Sequence, residues 1–354
     1  MVQPTLRTVL AELKTQNLLP PHVEQSKIAD TLTLLAQKPP VPWFISVLIG
    51  ISAWLSILPF MGFLYLLGII DSPKSTILVG TLLIISTFFL HYVRKNSLFI
   101  EQLALALNLT GQLLFIGGIV GYRDVATAAL ATWFLEIVVI AIYRDNILRF
   151  ISVLLAMVAA LVLIYEFDIH QAIHILIVLI AAGAVWYWIA EASHLTDDMM
   201  ATLYKPLGYG FVVALQMLLI ISILPATDFI SHLQWEYSTL GLTALLLFLE
   251  YYILRTNNIQ FLSTPSLAIF LSTILLALLL YQAPGIIASV IVIALGFQRG
   301  NRVLMGLAFT FLSIFFIAYY YHLDISLLMK SLTLVSAGLA LLILRLVFKL
   351  NDGL

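Results

Sequence analysis

Cysteine is absent from this chain of 354 residues. Its absence excludes disulfides, thiolate nucleophiles and cysteine-based metal sites. Charge is scarce as well, because Asp, Glu, Lys and Arg make up only 10% of the residues, against about 25% in soluble domains. The net charge of −1 offers no basic field to a nucleic acid, so we expect no nucleic-acid partner. Water cannot be the main solvent of such a chain.

Apolar residues are what the sequence has in abundance, at 62% of the chain with a mean hydropathy of +1.08. A bilayer core of about 30 Å requires about 20 apolar residues in a helix. Runs of this kind lie at roughly 43–69, 75–93, 98–120, 125–143, 147–165, 171–191, 207–225, 239–254, 265–281, 284–298, 303–321 and 326–348. Segments such as "LAMVAALVLIY" lack the alternation of a barrel strand. The sequence predicts an all-α polytopic transmembrane bundle of about twelve spans.

The first 42 residues are polar and mixed, and we expect them to form a separate cytosolic head before the transmembrane domain of residues 43–354. In "TLRTVLAELKTQNLL", Leu6, Val9, Leu10 and Leu13 share one helical face. A second helix is predicted after the prolines that follow, and "KPPVPW" is a stiff linker. Such a short helical hairpin cannot stabilise itself alone. Its apolar faces are expected to rest on the lipid bilayer surface or on another membrane protein.

Basic residues divide unevenly between the two sides of the predicted bundle. If the breaks between spans are assigned alternately, 14 of the 17 Lys and Arg residues fall on the side of the N-terminus. The other side holds only Lys74, Arg123 and Lys330. Cytoplasmic loops carry the excess of Lys and Arg in membrane proteins. The pattern predicts a multi-pass protein of a bacterial cytoplasmic membrane, with both termini in the cytoplasm.

Aromatic and charged residues gather where the eleventh predicted span ends. Tyr319, Tyr320 and Tyr321 close that span on the outer side, where tyrosine rings favour the headgroup level; the alternative is the wall of a binding site. Asp324 or Ser326 can cap the next helix, because each offers an oxygen to unpaired backbone N–H groups. Lys330 follows one turn later, either extending to the outer headgroups or anchoring an anionic lipid or the Asp324 carboxylate. The three tyrosines, Asp324 and Lys330 form a candidate outer-interface site.

A resemblance to a known family rests on two segments. The segment "GNRVLMGLAFTFLSIFFIAYYYHLDISLLMKSLTLVSAGLALLILR" and the upstream "FIEQLALALNLTGQLLF" resemble an uncharacterised bacterial membrane-protein family, the domain of unknown function numbered 4401, and the second also resembles the related family numbered 2157. The matching positions are Gly300, Leu304, Gly306, Leu307, Tyr319–Tyr321, Leu323, Leu327, Leu328, Lys330, Ser331, Gly338 and Arg345. Ser326 stands where threonine is usual. The resemblance implies a fold and a membrane location, and it assigns no catalytic residue.

Polar residues inside the predicted spans are the default functional candidates, because a bilayer makes them costly. In the third span, Asn108 and Gln112 follow Glu101 by 7 and 11 residues, so the three residues form one stripe along a helix. The fourth span carries Glu136, which we expect beside this stripe, and the eighth carries Glu250. Two carboxyl groups close together in low dielectric could not both be ionised and would share a proton.

This polar layer has two interpretations. In the structural one, the glutamates pair with interfacial arginines such as Arg94, Arg149 or Arg255, while Asn108 and Gln112 join helices by hydrogen bonds. In the functional one, the layer lines a cavity that is open to the cytoplasm and binds a cation or relays protons. A polar, water-sized cavity that reaches Asn108 would favour the second.

Enzyme chemistry has little support in the sequence. His170 and His174 are four residues apart, but no HExxH-type glutamate accompanies them, so we predict no metal site, and no cofactor or catalytic residue either. Two functions from different classes remain. The first is a permease-like carrier for a small cation or a proton-coupled solute; the second is a non-transporting membrane scaffold or partner subunit that docks other membrane proteins.

Overall fold

The computed structural model describes residues 43–93, 98–143, 145–190, 198–224, 233–260 and 263–322, together with scattered positions between 328 and 342. Eleven α-helices are described over these ranges. They are α1 (Trp43–Leu66), α2 (Pro73–Val93), α3 (Leu98–Tyr122), α4 (Val125–Ile142), α5 (Asn146–Glu166), α6 (Ala172–Ile189), α7 (Asp198–Ile220, followed by a 3-10 turn at Ile221–Ile223), α8 (Trp235–Thr256), α9 (Thr264–Leu279), α10 (Pro284–Gln298) and α11 (Arg302–His322).

Seven of these helices, α2 to α8, are long and apolar enough to cross a membrane, judged by length and composition. Helices α9, α10 and α11 and part of α1 provide shorter apolar segments of 10 to 17 residues. The described part of the chain contains no strand, which confirms the all-α class. The predicted count of about twelve spans is not established, because only seven of the described helices are long and apolar enough to cross a membrane, and the last predicted span, 326–348, lies mostly outside the described residues. The predicted head at residues 1–42 lies wholly outside them.

The main core lies among α5, α6, α7, α8, α10 and α11. Its largest fully buried side chains include Trp188, Leu215, Leu242 and Phe315. Leu240, Leu271 and many other apolar side chains face outward instead, and these two are 71% and 66% exposed. An outward-facing apolar surface on both sides of a packed core is expected when lipid is the solvent. The helices are consistent with a multi-pass membrane protein.

Helices α2 and α3 form an antiparallel pair whose backbones touch. A Cβ atom built on Gly111 would lie 2.8 Å from the Gly80 carbonyl oxygen, and one built on Gly80 would lie 2.6 Å from that of Gly111. A Cβ atom built on Gly118 would lie 2.8 Å from the Ile77 backbone nitrogen and 2.9 Å from the Pro73 carbonyl oxygen. Small residues permit such close approach between membrane helices, where dispersion and hydrogen bonds replace the hydrophobic driving force. The pair therefore fixes the register of α3, which carries the polar stripe.

Side chains define several helix starts that border this region. Asp124 caps α4 by accepting hydrogen bonds from the Thr127 backbone N–H at 2.7 Å and its hydroxyl at 2.9 Å. These bonds and the nearby Arg123 charge lower the pKa of the Asp124 carboxyl. Asp145 caps α5 through the Leu148 N–H at 2.7 Å. Both caps satisfy backbone donors that have no partner inside the helix.

Candidate functional site

The polar stripe of α3 is buried against α2. Asn108 and Gln112 are each 1% exposed. The Gln112 amide donates to the Asn108 side-chain oxygen at 2.9 Å, and the Asn108 amide donates to the Thr87 hydroxyl of α2 at 2.9 Å. The structure thus brings together two of the three stripe residues and adds a partner that the sequence analysis did not select.

Tyr143, which directly follows α4, extends this chain of hydrogen bonds to a third helix. Its hydroxyl lies 3.0 Å from the Thr87 hydroxyl and donates to the Ile84 carbonyl oxygen of α2. The Thr87 hydroxyl lies 2.7 Å from the same carbonyl oxygen, so its single proton goes either to Ile84 O or to the Tyr143 hydroxyl. Four side chains, Gln112, Asn108, Thr87 and Tyr143, form a continuous network that ties α2, α3 and the end of α4 together. We call these four the three-helix network.

Glu101, the remaining stripe residue, is half-buried and lines a small cavity at the same end of the bundle. Thr87, Tyr143 and Asp145 supply the other polar groups, and Ala104, Leu105 and Leu148 complete the wall. The cavity has a volume of about 10 Å³, the space that one water molecule requires. It reaches Thr87 and Tyr143 of the three-helix network, and Asn108 is not part of its lining.

Glu136 of α4 is fully buried, with no exposed surface. Neither of its carboxylate oxygens has a hydrogen-bond partner among the described residues. The Ser152 hydroxyl of α5 lies beside the carboxyl, yet it too lacks a partner of normal hydrogen-bond geometry within the described chain. Glu136 therefore makes no hydrogen bond to the α3 stripe, beside which it was expected, and the α4 end joins the stripe through Tyr143 instead.

Glu250 of α8 occupies a separate position. Its Oε1 atom accepts a hydrogen bond from the Thr273 hydroxyl of α9 at 2.5 Å. Its Oε2 atom is buried and has no partner in the part of the chain that the structure describes. The pair links α8 to α9. Thr273 was not selected from the sequence, because a lone threonine in an apolar run is an ordinary residue of a membrane helix.

The expected ion pairs between these glutamates and interfacial arginines are not formed in the described residues. Among the described residues, no Lys or Arg nitrogen lies within 4.0 Å of the carboxylate oxygens of Glu101, Glu136 or Glu250, whereas His170 contacts Asp168 at 3.1 Å. Arg149 is only 3% exposed and donates from Nε to the Ile140 carbonyl oxygen at 3.1 Å. The end of α4 thus gives this guanidinium a backbone acceptor, and the Glu136 carboxylate makes no hydrogen bond to it. Arg94, the third arginine considered, lies outside the described residues.

A protein family described as Domain of unknown function (DUF4401) matches residues 42–351, which is most of the chain and includes every helix described above. The chain belongs to this family. The resemblance inferred from the two sequence segments is thereby confirmed. No curated protein and no solved structure matches the chain.

Two further polar sites of this DUF4401 member were not selected from the sequence. Gln216 of α7 is fully buried, and neither its amide nitrogen nor its oxygen has a partner among the described residues. His174, 5% exposed, is held between Ser238 of α8 at 2.6 Å and Gln171 at 3.0 Å. A glutamine in the seventh apolar run could have been noticed. The histidine–serine contact depends on how α6 meets α8, and no sequence spacing encodes it.

The candidate outer-interface site is described only in part. Tyr321 is the residue before the last one of α11, and its side chain is 74% exposed. Tyr319 and Tyr320 belong to the same helix, and their side chains lie outside what the structure describes. Asp324 and Lys330 lie outside the described residues. Among the described residues, no group of three or more His, Asp or Glu side chains could hold a metal ion.

Proposed function

We propose that this protein is a permease-like carrier for a small cation or a proton-coupled solute, and that Glu136 is the residue that takes up the proton or cation. The observation that carries the proposal is the complete burial of the Glu136 carboxyl without a hydrogen-bond partner among the described residues. An isolated ionised carboxylate in a low-dielectric interior costs many kcal/mol, so such a group is neutralised or paired. A proton or a bound cation would supply the missing charge, and ionisable groups inside membrane spans mark ion and proton pathways.

The cavity beside Glu101 supplies the beginning of a route to this carboxyl. Leu148 forms part of its wall, and Ser152, which lies beside Glu136, is four residues further along α5. Four residues correspond to one helical turn, about 6 Å along the axis. Tyr143 borders the cavity on the α4 side. The route would open toward the cytoplasm if both termini of the chain lie in the cytoplasm of a bacterium, which is part of the proposal.

The test uses the purified full-length protein in lipid. Infrared difference spectra recorded as the pH is raised, or as Na⁺ is added, should contain the carbonyl band of a protonated carboxyl that disappears. A component of the band should be absent from Glu136→Gln and present in Glu250→Gln, the matched control whose carboxyl in another helix accepts a hydrogen bond from Thr273. In proteoliposomes with an imposed pH gradient, Glu136→Gln should remove any proton flux that the unaltered protein supports. An unchanged band in Glu136→Gln would contradict the proposal.

A second function is favoured by a different observation, the three-helix network, whose hydrogen bonds close the α3 stripe against α2 and α4. A bundle whose polar groups serve to join helices suits a non-transporting subunit that docks other membrane proteins, with residues 1–42 as a docking head. In that case Glu136→Gln should raise the thermal stability, because a neutral amide is less costly to bury than a carboxylate, and no proton flux should be observed in either protein.

A further inference from the structure

Two of the three basic residues on the side opposite the N-terminus meet at one aromatic ring. Lys74 is the second residue of α2, and Arg123 directly follows α3. The Lys74 Nζ atom lies 5.2 Å from the centre of the Tyr122 ring, and the Arg123 Cζ atom lies 5.4 Å from it. Both distances are within the range of cation–π attraction. In the sequence, these two residues stand out only as exceptions to the uneven distribution of Lys and Arg.

The close packing of α2 against α3 holds this arrangement in place. Near the same end of the pair, Gly118 lies so close to backbone atoms of Ile77 and Pro73 that a Cβ atom would overlap them. A Cβ atom built on Gly121 would lie 3.4 Å from the Pro73 ring. Pro73 is the residue before Lys74, and Gly121 is the residue before Tyr122. The backbones that carry the two cations and the ring are therefore fixed relative to each other before any ligand arrives.

The positive charges of this site are not satisfied by ion pairs. Among the described residues, no carboxylate oxygen lies within 4.0 Å of Lys74 or Arg123. Asp124 is close enough to sense the Arg123 charge, but its two oxygens accept hydrogen bonds from Thr127 at the start of α4. Asp71 lies against Gly68 in the preceding turn. Two cations thus face outward around one ring.

We propose that Lys74, Tyr122 and Arg123 bind the phosphate of an anionic phospholipid headgroup. Lys and Arg donate charge-assisted hydrogen bonds to phosphate oxygens, and basic groups at the ends of membrane helices attract anionic lipids. Tyr122, which is 48% exposed, is the last residue of an apolar segment long enough to span the membrane. Pro73, the residue before Lys74, is the first residue of another such segment. The three side chains therefore lie at the level of the headgroups.

The surroundings select a lipid over a soluble anion. Leu78 of α2, Val120 of α3 and Val125 of α4 are 60%, 42% and 41% exposed and lie within one or two helical turns of the cations. Acyl chains can cover these side chains while the phosphate meets the cations above them. Inorganic phosphate offers the same charge and no chain to cover the apolar surface. Its binding would therefore be weaker than that of a phospholipid.

The experiment measures the thermal stability of the full-length protein in a neutral detergent with added phosphatidylglycerol, phosphatidylcholine or inorganic phosphate. Phosphatidylglycerol near saturation should raise the Tm of the unaltered protein by roughly 2–5 °C, the size expected for a ligand that binds only the folded state. Phosphatidylcholine and inorganic phosphate should leave the Tm almost unchanged. The Lys74→Gln/Arg123→Gln double variant should lose the phosphatidylglycerol effect.

A matched double variant, Lys205→Gln/Arg302→Gln, removes two exposed cations elsewhere on the molecule and should keep the full effect. Native mass spectrometry provides a second readout that does not depend on the starting Tm: the Lys74/Arg123 variant should retain fewer phosphatidylglycerol molecules than the control variant. Equal lipid retention by both variants would overturn the proposal. An effect of inorganic phosphate as large as that of the lipid would also overturn it, since the site would then bind a soluble anion.

Discussion

At the scale of single residues, the buried amides of α3 and the buried carboxyl of α4 have different surroundings. Asn108 is a donor and an acceptor in the three-helix network, whereas Glu136 has no hydrogen-bond partner within the described chain. A polar group with partners inside a membrane protein holds helices together, and one without them needs a ligand or a proton. We therefore propose that Asn108 and Gln112 hold helices together, and that Glu136 takes up the proton or cation.

Replacing Asn108 by leucine tests the first assignment. Asn108→Leu leaves the Gln112 amide without its acceptor and Thr87 without one of its donors, so the free energy of unfolding should fall by about 1–3 kcal/mol. The thermal stability in detergent measures the loss. Thr110→Val in the same helix is the control, because the Thr110 hydroxyl bonds only to the Ala106 carbonyl of its own helix among the described contacts. Its stability should change much less.

Infrared difference spectra of the folded fraction of the Asn108→Leu variant should still contain the carbonyl band assigned to Glu136. If Asn108→Leu keeps full stability and loses that band, the stripe and Glu136 act as one site, and the division of roles is wrong. This comparison also tests the expectation from the sequence that Glu136 lies beside the stripe. In the structure, the stripe residue Asn108 packs against α2, and Glu136 packs against α5.

At the scale of elements, the contact between α2 and α3 positions both the three-helix network and the site formed by Lys74, Tyr122 and Arg123. Its glycines allow the backbones to touch, which brings Thr87 within reach of Asn108 at one end and Lys74 within reach of Tyr122 at the other. Glycine is unfavourable in a helix interior by roughly 1 kcal/mol relative to alanine. Close packing accounts for its presence at Gly80 and Gly111.

Gly111→Ala should therefore destabilise the protein in spite of the better helix propensity of alanine. Its Cβ would lie 2.8 Å from the Gly80 carbonyl oxygen and 3.0 Å from Leu83 Cβ, and overpacking of this kind typically costs about 1–3 kcal/mol. Gly117→Ala in the same helix is the matched control, since a Cβ there has no atom within 4 Å. It should be neutral or slightly stabilising. Equal Tm values for the two variants would show that the helices are not in contact at Gly111.

At the scale of the whole molecule, the distribution of basic residues predicts which loops face the cytoplasm. Reporter fusions at Asn258, in the turn between α8 and α9, and at Lys349 should behave as cytoplasmic, and a fusion at Ser231 as external. The reason is that cytoplasmic loops retain Lys and Arg during insertion. An external signal at Lys349 together with a cytoplasmic one at Asn258 would mean that the number of spans between them is odd, and that the count of about twelve is wrong.

The sequence by itself determined the class of this protein and the positions of its helices. A bilayer requires about 20 apolar residues for every crossing, so the lengths of the apolar runs indicate where membrane helices begin and end. The described helices α1 to α11 lie close to the first eleven predicted spans. The family assignment followed from two segments of the same apolar sequence, and the match over residues 42–351 confirms it.

Only the tertiary structure decided which polar residues meet. The spacing of Glu101, Asn108 and Gln112 defined a stripe. The rotation of α3 against α2 places Thr87 beside Asn108, and Tyr143 at the end of α4 contacts the Thr87 hydroxyl. The same packing gave Arg149 a backbone carbonyl in place of Glu136. Hydrogen bonds and ion pairs extend only about 3–4 Å, so they depend on helix rotation and neighbour choice. Hydropathy does not predict either of them, because an apolar side chain is equally favourable when it faces lipid and when it faces another helix.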